Sequence, residues 1–398
     1  MTHVIHTQQL LREGVLTPSQ ADEIIRRSRD TMMALVVNVV LCAGILSAAF
    51  GLIFWLADAL SVAVAGGIFL VLGLAVLVRG GVLYRMIGHA AALIGAGLWI
   101  AGAGIEIAQQ LEDQSGPILL MLGGLISAVS AWAFQKGPQD LRFVSGSVFL
   151  MGAGLHIAGL YITADVQDVL GVPLALVHLY TALIVAASGL WLNVRFITAL
   201  AIVPFAQMLS TGTAYFHAAY AFYSPETTFT ILQMAMLAVA CLFVVSHQSD
   251  RIARHAGILA VMAIVVLNLA FLVGSLWGDY PGETFLWSGS KPNDTSWTDY
   301  YASKKEWQET AFFISEGVYS VVWAIGLLVA AVWAAHGAKR GVFNATVTFA
   351  GIHAYTQLFE SLESTPLAFA ILGLTAVPAA WALWRWNEHV ARRSVEVA

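Results

Sequence analysis

Apolar residues run along this chain in blocks of about twenty, separated by short polar turns. Twelve such blocks can be marked, near 33–56, 60–78, 88–109, 117–135, 143–162, 169–191, 196–218, 228–246, 255–276, 312–335, 342–361 and 366–386. About twenty residues at 1.5 Å each match a hydrocarbon core roughly 30 Å thick, so each block is predicted to be a spanning helix. Lipid offers the backbone no hydrogen-bonding partner, and a helix satisfies its own. The expected fold is an all-α polytopic membrane protein of about twelve transmembrane helices with short loops. Its parts are an N-terminal helical segment (1–31), a bundle (32–386) with one long extracytoplasmic loop (278–311), and a tail (387–398).

Polar positions ahead of the first block have their own pattern. Residues 7–30 read as two short helices, with Gly14 ending the first. Thr17, Pro18 and Gln20 supply an N-cap, a first-turn proline and a capping-box partner for the second. Their apolar face is too small for an independent domain, so it is expected to pack on the membrane domain or on a partner.

Charge then orients the chain. Of 19 Lys and Arg, alternate loops place 16 on one side and only Lys291, Lys304 and Lys305 on the other. The positive-inside rule puts both termini in the cytoplasm. Composition agrees: 59% of residues are hydrophobic and 11% charged, with mean hydropathy +0.77, against about 25% charged in soluble domains. Two cysteines, both in apolar runs, exclude a disulfide framework. No phosphate-binding, dinucleotide or hydrolase motif is present, and no basic cluster points to nucleic acid.

An internal repeat stands out. Gly95-Ala96-Gly97-Leu98-Trp99-Ile100-Ala101-Gly102 recurs 57 residues later as Gly152-Ala153-Gly154-Leu155-His156-Ile157-Ala158-Gly159. A proline near the start of the following span, Pro117 or Pro173, and a tryptophan near its end, Trp132 or Trp191, accompany each copy. The expectation is a parallel repeat of helical hairpins, with small residues allowing close approach.

Candidate chemistry sits in polar residues inside apolar blocks. His353, Gln357 and Glu360 are spaced i, i+4, i+7, one face of a helix. Facing lipid, such a stripe would cost on the order of 3 kcal/mol per charge, so it is expected to turn inward, toward Glu106 or His156. Further candidates are Gln109, His178, His217 and Glu316, with Gln207, Ser210, Thr230 and Gln233 nearby in the pattern. Nearly all fall between the midplane and the outer surface. The set is either a structural polar seam or a cavity open to the outside. Carboxylates and imidazoles suit proton relay or cation capture. The first functional reading is therefore a proton- or cation-coupled permease. Alternatives are an accessory or sensory membrane protein that docks partners, and an intramembrane enzyme or b-haem protein using imidazole pairs. No cofactor is expected outside that haem reading; the expected partners are the bilayer and another membrane protein. The aromatic loop 278–310 is expected to lie ordered against the bundle.

The segment Leu11-Arg12-Glu13-Gly14-Val15-Leu16-Thr17-Pro18-Ser19-Gln20-Ala21 resembles the opening of a bacterial family of inner-membrane proteins of unknown function. The Gly97–Gln109 stretch is similar to that family's Gly-rich span ending in a polar pair. The run Asn344–Leu374, with Phe349, Tyr355, Phe359 and Gly373, is similar to its last two spans, although Thr356-Gln357 stands where an Arg would be expected. Gly278-Asp279-Tyr280 resembles the start of a motif in an associated membrane family. The resemblance implies fold and location and carries no activity.

The charge asymmetry makes a direct prediction: topology reporters fused after Arg142 and after Ser290 should report opposite sides of the membrane. Two cytoplasmic signals would overturn the assignment.

Overall fold

The computed structural model describes residues 11, 14–56, 58–79, 85–216, 219–287, 296–337 and 340–361, with isolated positions between 370 and 385. Among the described residues, eight helices are long and apolar enough to cross a membrane. The chain divides into two compact units, Met1–Val169 and Leu170–Ala398.

The first unit opens with α1 (Pro18–Leu56), and its start is built as the sequence predicts. The Gln20 side chain accepts from Thr17 N–H at 3.0 Å, and Thr17 Oγ1 accepts from Gln20 N–H at 3.4 Å, a reciprocal capping box. Gly14 has φ +72, the left-handed conformation expected of it. One expectation is corrected: the second short helix does not end before the first span. With no glycine or proline between Ser19 and Ala43, nothing breaks the ladder, and a single helix runs through both.

Four helices follow: α2 (Ala59–Arg79), α3 (Arg85–Gln110), α4 (Ser115–Lys136) and α5 (Arg142–Val166). They form two antiparallel pairs, α2–α3 and α4–α5, joined through α3 and α5. Glycine decides how close each pair comes. A Cβ on Gly66 would lie 2.3 Å from Trp99 N, and one on Gly123 would lie 2.2 Å from His156 N. A Cβ on Gly102 would meet Ala63 N at 2.6 Å, and one on Gly159 would meet Leu120 N at 2.2 Å. Every residue in the second set is its counterpart in the first plus 57, so the repeat is one of contacts as well as letters. The hairpin partner is the preceding span rather than the following one, because the complementary glycines lie in α2 and α4. Bulky side chains point outward instead, as with Val71 (66% exposed), Met121 (73%) and Leu125 (62%), which is the packing of helices surrounded by lipid.

The second unit contains α6 (Gly171–Leu192), α7 (Arg195–Leu200), α8 (Ile202–Gln207), strands β1 (Gly212–Phe216) and β2 (Ala219–Tyr223), α9 (Thr227–His247) and α10 (Asp250–Trp277). It continues with α11 (Glu283–Leu286), α12 (Trp297–Thr310), α13 (Glu316–His336) and α14 (Arg340–Ser361). Helix α10 is its axis, packed against α9, α7, α8, α13 and α14. Two apolar clusters hold it: Ile202, Ala206, Met234, Ala238, Ala263 and Val266 on one flank, and Trp323, Leu327 and Phe349 on the other.

The seventh predicted span, 196–218, is corrected. The helix stops at Gln207, and an antiparallel hairpin replaces its second half, pairing Gly212 with Tyr223 through Phe216 with Ala219. The cause is local. Pro204 has no N–H for the Leu200 carbonyl, and the helix is interrupted at Ala201, where α7 meets α8. Ser210 then takes a left-handed φ of 54 and turns the chain into β1. The eleventh span is helical over Arg340–Ser361, while the twelfth, 366–386, lies mostly outside the described residues. The expected loop 278–311 carries α11 and α12.

The repeat predicts matched effects of matched substitutions. Gly66→Val and Gly123→Val should each lower stability by about 1–3 kcal/mol through overpacking. Gly154→Ala, where an added Cβ has nothing within 4 Å, should be near neutral. Thermal melts in detergent check this, and a benign Gly123→Val alone would break the equivalence of the two hairpins.

Candidate functional site

The polar residues of the second unit are spread along α9 and α10, with the hairpin at one end. That end is closed by two buried carboxylates, Glu226 (0% exposed) and Asp279 (5%). Glu226 is the N-cap residue of α9, yet its side chain reaches a segment 56 to 58 residues further along the chain. Its two oxygens accept the backbone N–H groups of Gly282 (2.8 Å) and Thr284 (2.5 Å), at the start of α11. Asp279, just ahead of α11, does the converse. Its Oδ2 accepts from Thr228 N–H (2.8 Å) and Thr228 Oγ1 (2.5 Å), in the first turn of α9, and from Tyr319 OH (3.3 Å) on α13. Each acid thus satisfies orphan donors at the start of the other's helix, where the dipole also favours negative charge. Asp279 further exchanges two backbone bonds with Ile314, at 3.0 and 2.9 Å.

This clasp ties the start of the aromatic loop, Asp279 and Gly282–Thr284, to α9 and α13. Tyr280 packs on Phe313 (4.7 Å between ring centroids) and Trp307 (6.3 Å). Lys304 on α12 pairs with Glu283 at 2.5 Å, and Gln308 donates to the same carboxylate at 3.2 Å. Between hairpin and loop lies a pocket of about 370 Å³, walled by Phe222, Tyr223, Trp277 and Tyr280, with Ser224, Asp279, Glu283 and Lys304 as its polar groups.

Beneath the pocket, a ring of buried hydroxyls joins Thr211, Ser224 and Thr230: Thr211 to Ser224 at 2.9 Å, Thr211 to Thr230 at 2.7 Å, and Ser224 to Thr230 at 3.3 Å. One turn further into α9, Gln233 donates to the Phe205 carbonyl at 2.8 Å, capping the end of the interrupted helix. At mid-length of α10, Asn268 accepts from the Trp323 indole at 2.8 Å and donates to Ile264 O at 2.7 Å. At the far end, buried His255 meets Thr198 Oγ1 at 2.6 Å and Asn193 Oδ1 at 3.2 Å, and Arg251 donates to the terminal carbonyls of α6. Polar groups therefore occur at both ends and in the middle of α10.

The sequence-derived candidates divide between the units. His353 and Gln357 turn into the second unit, with His353 Nδ1 and Gln357 Nε2 both buried. The neighbour of His353 is Trp323, ring edge to face at 4.7 Å, where Glu106 or His156 was expected. Glu360 lies on α14, its side chain outside the described residues. His178 is half-buried on α6, and Glu316 is exposed in the first turn of α13. His217 lies outside the described residues. In the first unit, His156 Nδ1 bonds the Leu120 carbonyl at 2.8 Å, Glu106 accepts from Gln110 at 3.3 Å, and Gln109 is exposed. Among the described residues, no group of three or more His, Cys, Asp or Glu could hold a metal ion. Sequence reasoning missed Glu226 and His255. The signal in the sequence that marks this region is Pro204 within an apolar block, followed by the aromatic run Tyr215-Phe216 and Tyr220-Ala221-Phe222-Tyr223.

No family model matches the chain, and neither a curated protein nor a solved structure matches it.

Burial pushes the Glu226 carboxyl above its ordinary 4.5, and the Asp279 charge adds to this, while the Thr284 and Gly282 N–H groups pull the other way. A proton bound more tightly in the folded chain means stability that is present below about pH 4.5 and lost as pH rises through the raised value. A protonated carboxyl keeps two accepting oxygens, whereas glutamine keeps one. Glu226→Gln should therefore cost about 1–3 kcal/mol at low pH by facing an amide N–H₂ toward a backbone N–H, and the deficit should shrink as pH rises. Melting curves of both proteins from pH 4 to 7 check this; a constant difference would show that Glu226 does not titrate in that window.

Proposed function

We propose that the protein is a permease-like carrier of the bacterial inner membrane, with both termini cytoplasmic. Its solute path would run through the second unit, from the pocket at the hairpin end past the interrupted helix. The observation that carries this reading is the break at Gln207, followed by buried hydroxyls and an amide. Irregular backbone at membrane depth is tolerated where it is enclosed by protein or lines a water-filled cavity, and discontinuous helices form the binding sites of many carriers. Polar side chains at both ends and the middle of α10 support a path that continues beyond the pocket.

A second reading is favoured by the clasp. Fixing a loop with two buried carboxylates presents a rigid outer surface, which suits an accessory or sensory protein that docks a partner there.

Cysteine accessibility separates the two. In a Cys42→Ala, Cys241→Ala background, Ser224→Cys should react with a membrane-impermeant maleimide added outside sealed vesicles. Thr198→Cys should react only from the inside, and osmotic or solute conditions that protect one should expose the other. Two inert positions in folded protein would remove the path and leave the docking surface.

A further inference from the structure

The ring of hydroxyls and Gln233 have an uneven supply of donors and acceptors. Thr211 and Thr230 are 0% exposed, Ser224 6% and Gln233 8%. Three hydroxyl hydrogens serve the three bonds of the ring, so each oxygen donates once, accepts once and retains a free lone pair. Gln233 spends its amide nitrogen on Phe205 O and Met208 Sδ, and its Oε1 has no partner. Turning the amide over would set that oxygen against the Phe205 carbonyl, so the orientation is determined. The backbone N–H groups of Thr211 and Thr230 are also spent, on Ala206 O and Glu226 O. What remains on these four side chains is acceptor capacity alone.

The two buried carboxylates at this end are negative as well, and Lys304, the cation lining the pocket above, is paired with Glu283. Glu226 lies one turn from Thr230 on α9, and Asp279 binds the adjacent Thr228. Among the described residues, neither carboxylate has an ion-pair partner. The Ala206 carbonyl, near the end of Ile202–Gln207, also faces Thr211, whose N–H it accepts. A water molecule would supply donors but no charge. An alkali cation supplies what both features lack, and neutral hydroxyl and amide oxygens are the ligands that hard cations take.

We propose that Gln233 Oε1 and the hydroxyl oxygens of Thr211, Ser224 and Thr230 bind a monovalent alkali cation, for which Na⁺ is the probe. The site lies about 5–9 Å inside the N-terminus of α9, at 1.5 Å per residue. Its role as a coupling ion rests on the carrier reading above; the binding itself does not.

The test uses purified full-length protein in choline buffer at constant ionic strength. NaCl should raise the melting temperature saturably, by several degrees, where choline chloride does not. Equilibrium binding of radioactive sodium should approach one ion per chain. Gln233→Leu and Thr230→Val should abolish the sodium-dependent rise, and Thr230→Ser, which keeps the oxygen, should retain it. Because the wild-type binding ratio needs no variant, a misfolded Gln233→Leu leaves the proposal testable. Equal melting in sodium and choline with no bound sodium would mean that water alone fills the site, and would overturn the proposal. So would a sodium effect that survives in both Gln233→Leu and Thr230→Val. A sodium site in protein whose Ser224→Cys and Thr198→Cys positions stay inert would instead refute the carrier and leave the ion structural.

Discussion

A carbonyl that leaves a helix inside a bilayer must find its donor within the protein, and the second unit is arranged around that constraint. Pro204 withholds one N–H, the helix ends at Gln207, and the freed groups are met one at a time. Gln233 serves Phe205 O, while Leu209 and Thr211 N–H serve Ala206 O. The hairpin pairs its own strands. Leu209, Thr211 and Gln233 are buried or half-buried, and the apolar face of α9 is interrupted by Thr227, Thr230 and Gln233. The polar residues of this stretch of α9 follow from the break, while Asn268 and His255 serve α13 and α7 elsewhere along α10.

The first unit solves the opposite problem. Its helices are unbroken, so the backbone is already satisfied, and what remains is to pack without a hydrophobic force between helices. Glycine and alanine bring backbones into contact, and the same solution appears twice at an offset of 57 residues. The groove between α3 and α5, about 500 Å³, is lined only by Gly, Ala, Ile, Leu and Met.

What could be read from the letters follows from the range of the forces involved. The Thr17–Gln20 capping box was legible because both partners lie within one turn. The repeat was legible because a close approach admits only glycine at Gly66, Gly95 and Gly102 and their counterparts. The inward turn of His353 and Gln357 followed from the cost of polar groups in lipid. The neighbour of His353 did not, since nothing in its own helix identifies Trp323. Glu226 was illegible for a related reason. A carboxylate before a helix usually caps that helix, and its actual partners are backbone groups 56 and 58 residues away. The hairpin was hidden by composition, because alanine, tyrosine and phenylalanine are as apolar in a strand as in a helix.

The reciprocal capping by Glu226 and Asp279 also bears on how the chain is made. The two acids are separated by all of α9 and α10, a complete excursion through the membrane and back. Neither finds its donors until both helices have inserted and the Gly278–Leu286 segment has arrived on the side where α9 began. A chain that inserts α10 the wrong way leaves two carboxylates without donors and two helix starts without acceptors, far apart and on opposite faces of the membrane. Correct topology is thus rewarded at the moment of assembly, because only then do both carboxylates find their donors.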